Sequence, residues 1–252
     1  MAKSFKDVVK GKNFSKVSLL VYGEAGAGKS TLGSMFSHPI FLGTEVPSHL
    51  DNAEVFPRIK SMEDFDGYSK LLRDEKHDYR TLVIDTLDGL QELYVHEAFY
   101  SAQGRKPITP NNYDGGWGKG NDLIKRRFSL WMHDYFHPIT EKMNVIFLCH
   151  DSSRTAEDSD GTEYNLRCPN LRPKMYNLFV DQMDAVFHVS MDKVKSGHAA
   201  RSIITTGNKF TVAKNRWDLR PLYSFNREDT VHTILKDILK HYDQPKKEAT
   251  NE

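Results

Sequence analysis

Apolar residues along this chain fall in short unbroken runs, separated by stretches with helical spacing. Residues 17–22 (Val-Ser-Leu-Leu-Val-Tyr) form one such run, ending at Gly23, and read as a buried strand. Residues 29–37 read as a helix, and 39–42 as a second strand ending near Gly43-Thr44-Glu45. Over 62–76 the side chains of Phe65, Tyr68, Leu71 and Leu72 share one side of a helix. Thr-Leu-Val-Ile-Asp at 81–85 predicts a third strand, and a helix follows over about 87–100. Residues 104–121 are rich in Gly, Pro and Asn, which marks a loop. A helix over about 122–137 leads to a fourth strand at 144–149, with His150 at its end. Residues 151–173 are polar and predict a second loop, followed by a fifth strand at 183–191. Residues 201–206 and 210–214 predict a hairpin turning at Gly207-Asn208, and a last helix covers about 229–241.

Strands alternating with helices predict an α/β fold, a mostly parallel central sheet covered by helices on both faces, with a late β-hairpin. There is no internal repeat. The expected organisation is an N-terminal segment over 1–16, one domain over 17–242 and a polar tail over 243–252. Of the 252 residues, 38% are apolar, enough for a sizeable core. The net charge of +1 supplies no bulk positive field for nucleic acid, so any DNA contact must come from local basic loops. Cys149 lies in an apolar run and Cys168 in a polar stretch, a pair that suits a reducing compartment. The first 16 residues lack the apolar centre of a secretory signal. No run approaches the roughly 18 apolar residues of a membrane helix. A cytoplasmic protein without membrane contact is expected.

The chemistry begins at Gly23-Glu24-Ala25-Gly26-Ala27-Gly28-Lys29-Ser30-Thr31, which fits G-x-x-x-x-G-K-[ST] between a strand and a helix. Glycines let backbone N–H groups curl around phosphate oxygens, and the next helix adds its positive end. Lys29 is the expected cation for the β and γ phosphates of ATP, and Ser30 a ligand of Mg²⁺. Asp85 ends the third strand, at the sheet edge where ligands of open α/β sheets collect, and is the expected acid of the Mg²⁺ shell. Residue 86 is Thr, so the chain lacks the Glu that follows this Asp in one large group of P-loop ATPases. Glu45, at the end of the second strand, is the candidate general base for an attacking water. His150, at the end of the fourth strand, is a candidate sensor of the γ-phosphate.

These features together resemble the RecA-like ATPases rather than kinases or small GTPases. Lys214-Asn215-Arg216-Trp217-Asp218 resembles the Lys-x-Arg element of DnaB-type ring helicases and the Lys-Asn-Arg-Phe-Gly signature of bacterial RadA. The resemblance implies that Lys214 and Arg216 reach into a neighbouring subunit's site, as an arginine finger does, within a homo-oligomeric ring or filament. Trp217 and Asp218 replace the Phe and Gly of that signature. From about residue 16 to 242 the chain resembles phage-encoded nucleotide-binding proteins of the AAA class, some of them RecA-like single-strand annealing proteins. That implies an ATP hydrolase of phage recombination in the host cytoplasm, working on single-stranded DNA and meeting a single-strand binding protein. A replication helicase or helicase loader is the alternative enzyme, and a nucleotide-controlled assembly protein the alternative without DNA.

RecA-like recombinases touch DNA through loops after the third-strand helix and after the fourth strand. Here the first carries Arg105, Lys106, Tyr113, Trp117 and Lys119, and the second Arg154 and Arg167. Basic groups that track phosphates and aromatics that stack on bases make up the single-strand recipe. The second segment also carries Glu157, Asp158, Asp160 and Glu163, which would repel a backbone unless turned away.

Overall fold

The computed structural model describes residues 16–50, 53–100, 108–193, 199–217, 219–224, 233–234 and 236–237. The segment 1–15, most of the last predicted helix and the polar tail lie outside them, as do Arg105 and Lys106. The chain starts with β1 (Ser18–Gly23), α1 (Lys29–Ser34), β2 (Pro39–Leu42) and a two-residue β3 (Glu54–Val55). Next come α2 (Met62–Asp74), β4 (Thr81–Asp85) and α3 (Leu87–Val95), which runs on into a π-turn at His96–Tyr100. Then α4 (Lys119–Trp131) continues through a π-turn at Met132–Phe136 into α5 (His137–Thr140). The remainder is β5 (Asn144–Glu157), β6 (Glu163–Pro169), α6 (Pro173–Gln182), β7 (Ala185–Lys193), β8 (Ala199–Ile204), β9 (Lys214–Asn215) and β10 (Leu222–Ser224).

The strands form one sheet in the order β10-β8-β7-β1-β5-β4-β2-β3. All neighbours from β3 to β7 are parallel, and β8 and β10 are added antiparallel at one edge. The fold is therefore RecA-like: the phosphate-loop strand β1 is separated from the Asp85 strand β4 by β5, and β2 lies beside β4. Alternate side chains serve the two faces. Leu20 and Tyr22 of β1 join a core with Leu82, Ile84, Val145, Phe147 and the apolar sides of α2, α3, α4 and α6. Leu19 and Val21 join Val83, Ile146 and Leu148 beneath Leu32 of α1. Burial on both faces is why these strands read as continuous apolar runs. Each such side chain contributes about 1.5–3 kcal/mol when fully buried.

Three expectations need correction. Residues 151–173 are not a loop. β5 continues past His150 to Glu157 and pairs antiparallel with β6, from Asp151↔Pro169 to Glu157↔Glu163. On β6 exposed polar residues alternate with half-buried Tyr164 and Leu166 and buried Cys168, the pattern of a strand and not of irregular backbone. The late hairpin exists, but it is β7 with β8, in register from His188↔Ile204 to Lys193↔Ala199. Residues 210–214 do not pair with 201–206; β9 instead returns to the start of β7, with Val186 opposite Lys214. Finally α6 carries no counterpart in the predicted elements, although Pro173 stands at its first turn and Met175 and Phe179 are buried at helical spacing.

Candidate active site

The parallel order brings four strand ends to one edge. Gly23 of β1 is level with His150 of β5, and Asp85 of β4 with Leu148, while Glu45 follows β2 closely. Glu45 N–H donates to the Asp85 carbonyl at 3.0 Å. A Cβ added to Gly43 would run into that same carbonyl oxygen, so only glycine lets β2 and β4 close up here. Around this edge lies a cleft of about 340 Å³, lined by the phosphate loop, Glu45, His49, Asp85, Thr86, His150 and Arg201.

In the loop, Gly26 and Gly28 take φ of 76° and 106°, left-handed values that glycine adopts at no steric cost. Gly28 is thereby the N-cap of α1. Lys29 is buried, and its Nζ donates to the carbonyls of Gly23 and Glu24, both at 2.9 Å. Burial lowers its pKa, opposed by the carboxylates of Asp85 and Asp88. Ser30 Oγ donates to Asp85 Oδ2 at 2.8 Å. Burial pushes the Asp85 carboxyl above its usual range, the Ser30 bond pulls it back, and the charge of Glu45 raises it further.

His150 is held by a residue that sequence reasoning missed. Asp88, buried in the first turn of α3, accepts from His150 N–H at 3.2 Å and lies 2.9 Å from His150 Nδ1. With Nδ1 carrying its proton toward Asp88, Nε2 is left as the ring's acceptor nitrogen. Its only signal was a second carboxylate three residues after Asp85, on a helix whose N-cap, Thr86, accepts from Gly89 N–H. His49 and Arg201 were also missed, since neither belongs to a motif.

The other predicted residues separate. Lys214 and Arg216 lie near the start of β7, at the end of the sheet opposite the phosphate loop. Lys214 Nζ donates to the Asp181 carbonyl at 3.2 Å, and burial and the Arg216 charge lower its pKa. Arg216 pairs with Asp184 at 3.1 Å and stays half exposed. They are not part of this chain's own cleft. In the first predicted DNA segment, Tyr113 packs edge-on against Phe99, and Lys119 pairs with Asp114 at 2.9 Å. Trp117, in contrast, is 96% exposed on a backbone of φ 53°, between Gly116 and Gly118. On the β5–β6 arm, Arg154 lies over the Tyr176 ring at 4.2 Å. Arg167 pairs with Glu24 of the phosphate loop at 3.0 Å and with Asp151 at 3.2 Å.

A family profile described as an AAA domain matches residues 15–217, a span holding every element of the cleft and the Lys214-Asn215-Arg216 element. The chain belongs to the AAA domain family. The RecA-like strand order gives this AAA domain the architecture of a P-loop ATPase, with Lys29, Ser30 and Asp85 together at one edge. No curated protein shows significant similarity to it. Among solved structures, the RadB recombinase matches over 84% of this chain and 88% of its own, with 11% identity and a TM-score of 0.45. No helix among the described residues is long and apolar enough to cross a membrane.

Proposed function

We propose that the protein binds and hydrolyses ATP with Mg²⁺ and acts on single-stranded DNA, in phage-type recombination or strand annealing. The observation that carries the reading is the contact between Ser30 and Asp85 beside the buried Lys29. A hydroxyl and a carboxylate of this kind suit Mg²⁺, a hard cation that takes oxygen ligands and keeps several waters and phosphates. Among the described residues there is no group of three or more His, Cys, Asp or Glu side chains that would form an all-protein metal site. Ser30 and Asp85 would hold Mg²⁺, which would supply positive charge to the phosphates. Lys29 exchanges its bonds to the loop carbonyls for phosphate oxygens. Glu45 takes a proton from the attacking water, and His150, set by Asp88, meets the terminal phosphate.

Lys214 and Arg216 sit across the sheet from their own cleft, which supports a role in a neighbour's site and so a homo-oligomeric ring or filament. Trp117 supports the DNA reading: a tryptophan 96% exposed offers a face on which a base stacks. Arg105, Lys106 and Lys119 add positive charge along the same segment of chain. Arg154 and Arg167 belong to the β5–β6 arm, where Arg167 also joins that arm to the phosphate loop. The test is ATP turnover of the purified protein with and without single-stranded oligonucleotide. Turnover that rises with DNA supports the reading, and annealing without unwinding separates it from a helicase. Turnover indifferent to DNA favours a nucleotide-controlled assembly protein instead.

A further inference from the structure

The cleft contains a guanidinium that no motif accounts for. Arg201 lies on β8, opposite Met191 of β7, two positions beyond the Gly23↔Val189 pairing of β7 with β1. That places it past the sheet edge, level with the phosphate loop. Its position is well fixed. A Cβ on Gly23 would run into the Val189 carbonyl, so β7 presses directly on the start of the loop. Next to Arg201, Ser202 Oγ lies 2.7 Å from Ser190 Oγ and ties β8 to β7.

From this strand the side chain crosses to the loop, and one terminal nitrogen donates to the Gly26 carbonyl at 3.3 Å. The Nε–H is buried and has no hydrogen-bond partner. Among the described residues no carboxylate pairs with Arg201. The Lys29 ammonium, by contrast, already feels Asp85 and Asp88. A buried, unsatisfied donor on a charged group is costly unless it finds a partner. In a phosphate-binding cleft the matching partner is an oxyanion, which guanidinium donors bind with charge-assisted, directional bonds.

We propose that Arg201 is a phosphate ligand acting within its own subunit, turning its guanidinium from the Gly26 carbonyl to the γ-phosphate and so making the site prefer ATP over ADP. The inner phosphates have the loop amides and the N-terminus of α1, and Lys29 serves the β and γ groups. Arg201 approaches the loop from the β7–β8 side, opposite the Glu45 and Asp85 side, so the two flanks close on the terminal phosphate from different directions. It is distinct from Arg216, which lies at the other end of the sheet.

The proposal rests on the ATP-site reading above, and one set of binding measurements separates the two. The full chain, with Mg²⁺, is titrated with fluorescent ATPγS and fluorescent ADP. Arg201→Ala is expected to weaken ATPγS about tenfold, the loss of one charge-assisted bond at ~1.4 kcal/mol per tenfold, and to leave ADP within about twofold. Retained ADP affinity shows at once that the variant is folded. No loss for either nucleotide overturns the proposal. Should Arg201→Ala lose both, Arg201→Gln decides, because it keeps a donor near Gly26 and removes the charge. ADP kept and ATPγS weakened supports the γ-phosphate role, and any other pattern overturns it. Lys29→Ala serves as the control on the site itself. Unchanged affinity for both nucleotides in that variant would instead defeat the nucleotide-site reading.

Discussion

Ser30 and Asp85, 55 positions apart, are hydrogen-bonded to each other through Oγ and Oδ2 at 2.8 Å. The two expected Mg²⁺ ligands thus satisfy one another. The arrangement holds a carboxylate in a poor place for charge. Asp85 is 3% exposed, and burial is the largest influence raising its pKa above 3.8. A raised folded-state pKa means that ionised Asp85 costs stability. The cost is absent below the unfolded pKa and complete above the folded one. Asp85→Asn keeps an oxygen for Ser30 and removes the charge. It is expected to raise the melting temperature of the nucleotide-free protein at pH 7 by about 2–4 °C, the shift that ~1 kcal/mol produces in a domain of this size. The gain should shrink as pH falls through the window between the raised value and the ordinary Asp range, while ATP turnover is lost at every pH. Thermal scans across pH check the sign, and a lower melting temperature at pH 7 would refute the argument.

Glu45→Gln should retain ATP and lose turnover. Its backbone place is independent of its side-chain charge, because the N–H bonds to the Asp85 carbonyl and Gly43 sets the strand spacing. The amide keeps the shape and cannot take a proton from water. A lost general base costs about 10²–10⁴ in rate, while nucleotide affinity should stay within about threefold. Single-turnover hydrolysis beside equilibrium binding separates the two quantities. Near-normal hydrolysis would move the base to Asp85 or to an adjacent subunit.

Much of this site was legible because its parts obey local rules. The phosphate loop is a contiguous pattern, and the run ending in Asp85 is a strand buried on both faces, which leaves its polar end nowhere but the edge. Glu45 and His150 followed from strand order, and the observed β2-β4-β5-β1 order places both beside the loop. Arg201 and Asp88 were not legible for the opposite reason. Their roles depend on contacts across 175 and 62 residues, to Gly26 and His150, and nothing in their immediate neighbours announces them. The β5–β6 arm was misread because its exposed residues carry the same polar composition as a loop. A cue was available in the alternation Tyr164, Leu166 and Cys168 against polar neighbours.

Trp117→Ala tests the DNA reading at a single side chain. With 96% of its surface exposed, Trp117 contributes little to the core, so the melting temperature should move by less than about 2 °C, as for surface substitutions within about 0.5 kcal/mol. Stacking of one base on an aromatic ring is worth about 1–3 kcal/mol. The affinity for a single-stranded oligonucleotide, read by anisotropy, is therefore expected to fall by roughly 5- to 150-fold. An unchanged affinity would remove Trp117 from the DNA surface and leave its exposure to be explained by subunit packing.

Arg216 offers the test of assembly. Its guanidinium pairs with Asp184 at 3.1 Å and is half exposed, and such a pair is worth at most about 1 kcal/mol. Asp184 keeps its bonds from Ser18 N–H and Oγ, at 2.9 and 2.7 Å, so Arg216→Ala should fold normally. Because Arg216 lies across the sheet from its own phosphate loop, the variant should bind ATP almost as well as the parent. If the residue completes a neighbour's site, its loss should still cost about 10³ or more in turnover. Mixing Arg216→Ala with Lys29→Ala, each inactive alone, should then restore partial activity, since some interfaces join an intact loop to an intact arginine. A monomer has no such interface and gives no rescue. If the two variants demonstrably co-assemble and the mixture stays inactive, the interfacial-site model fails and Arg216 is a structural or DNA-contacting residue.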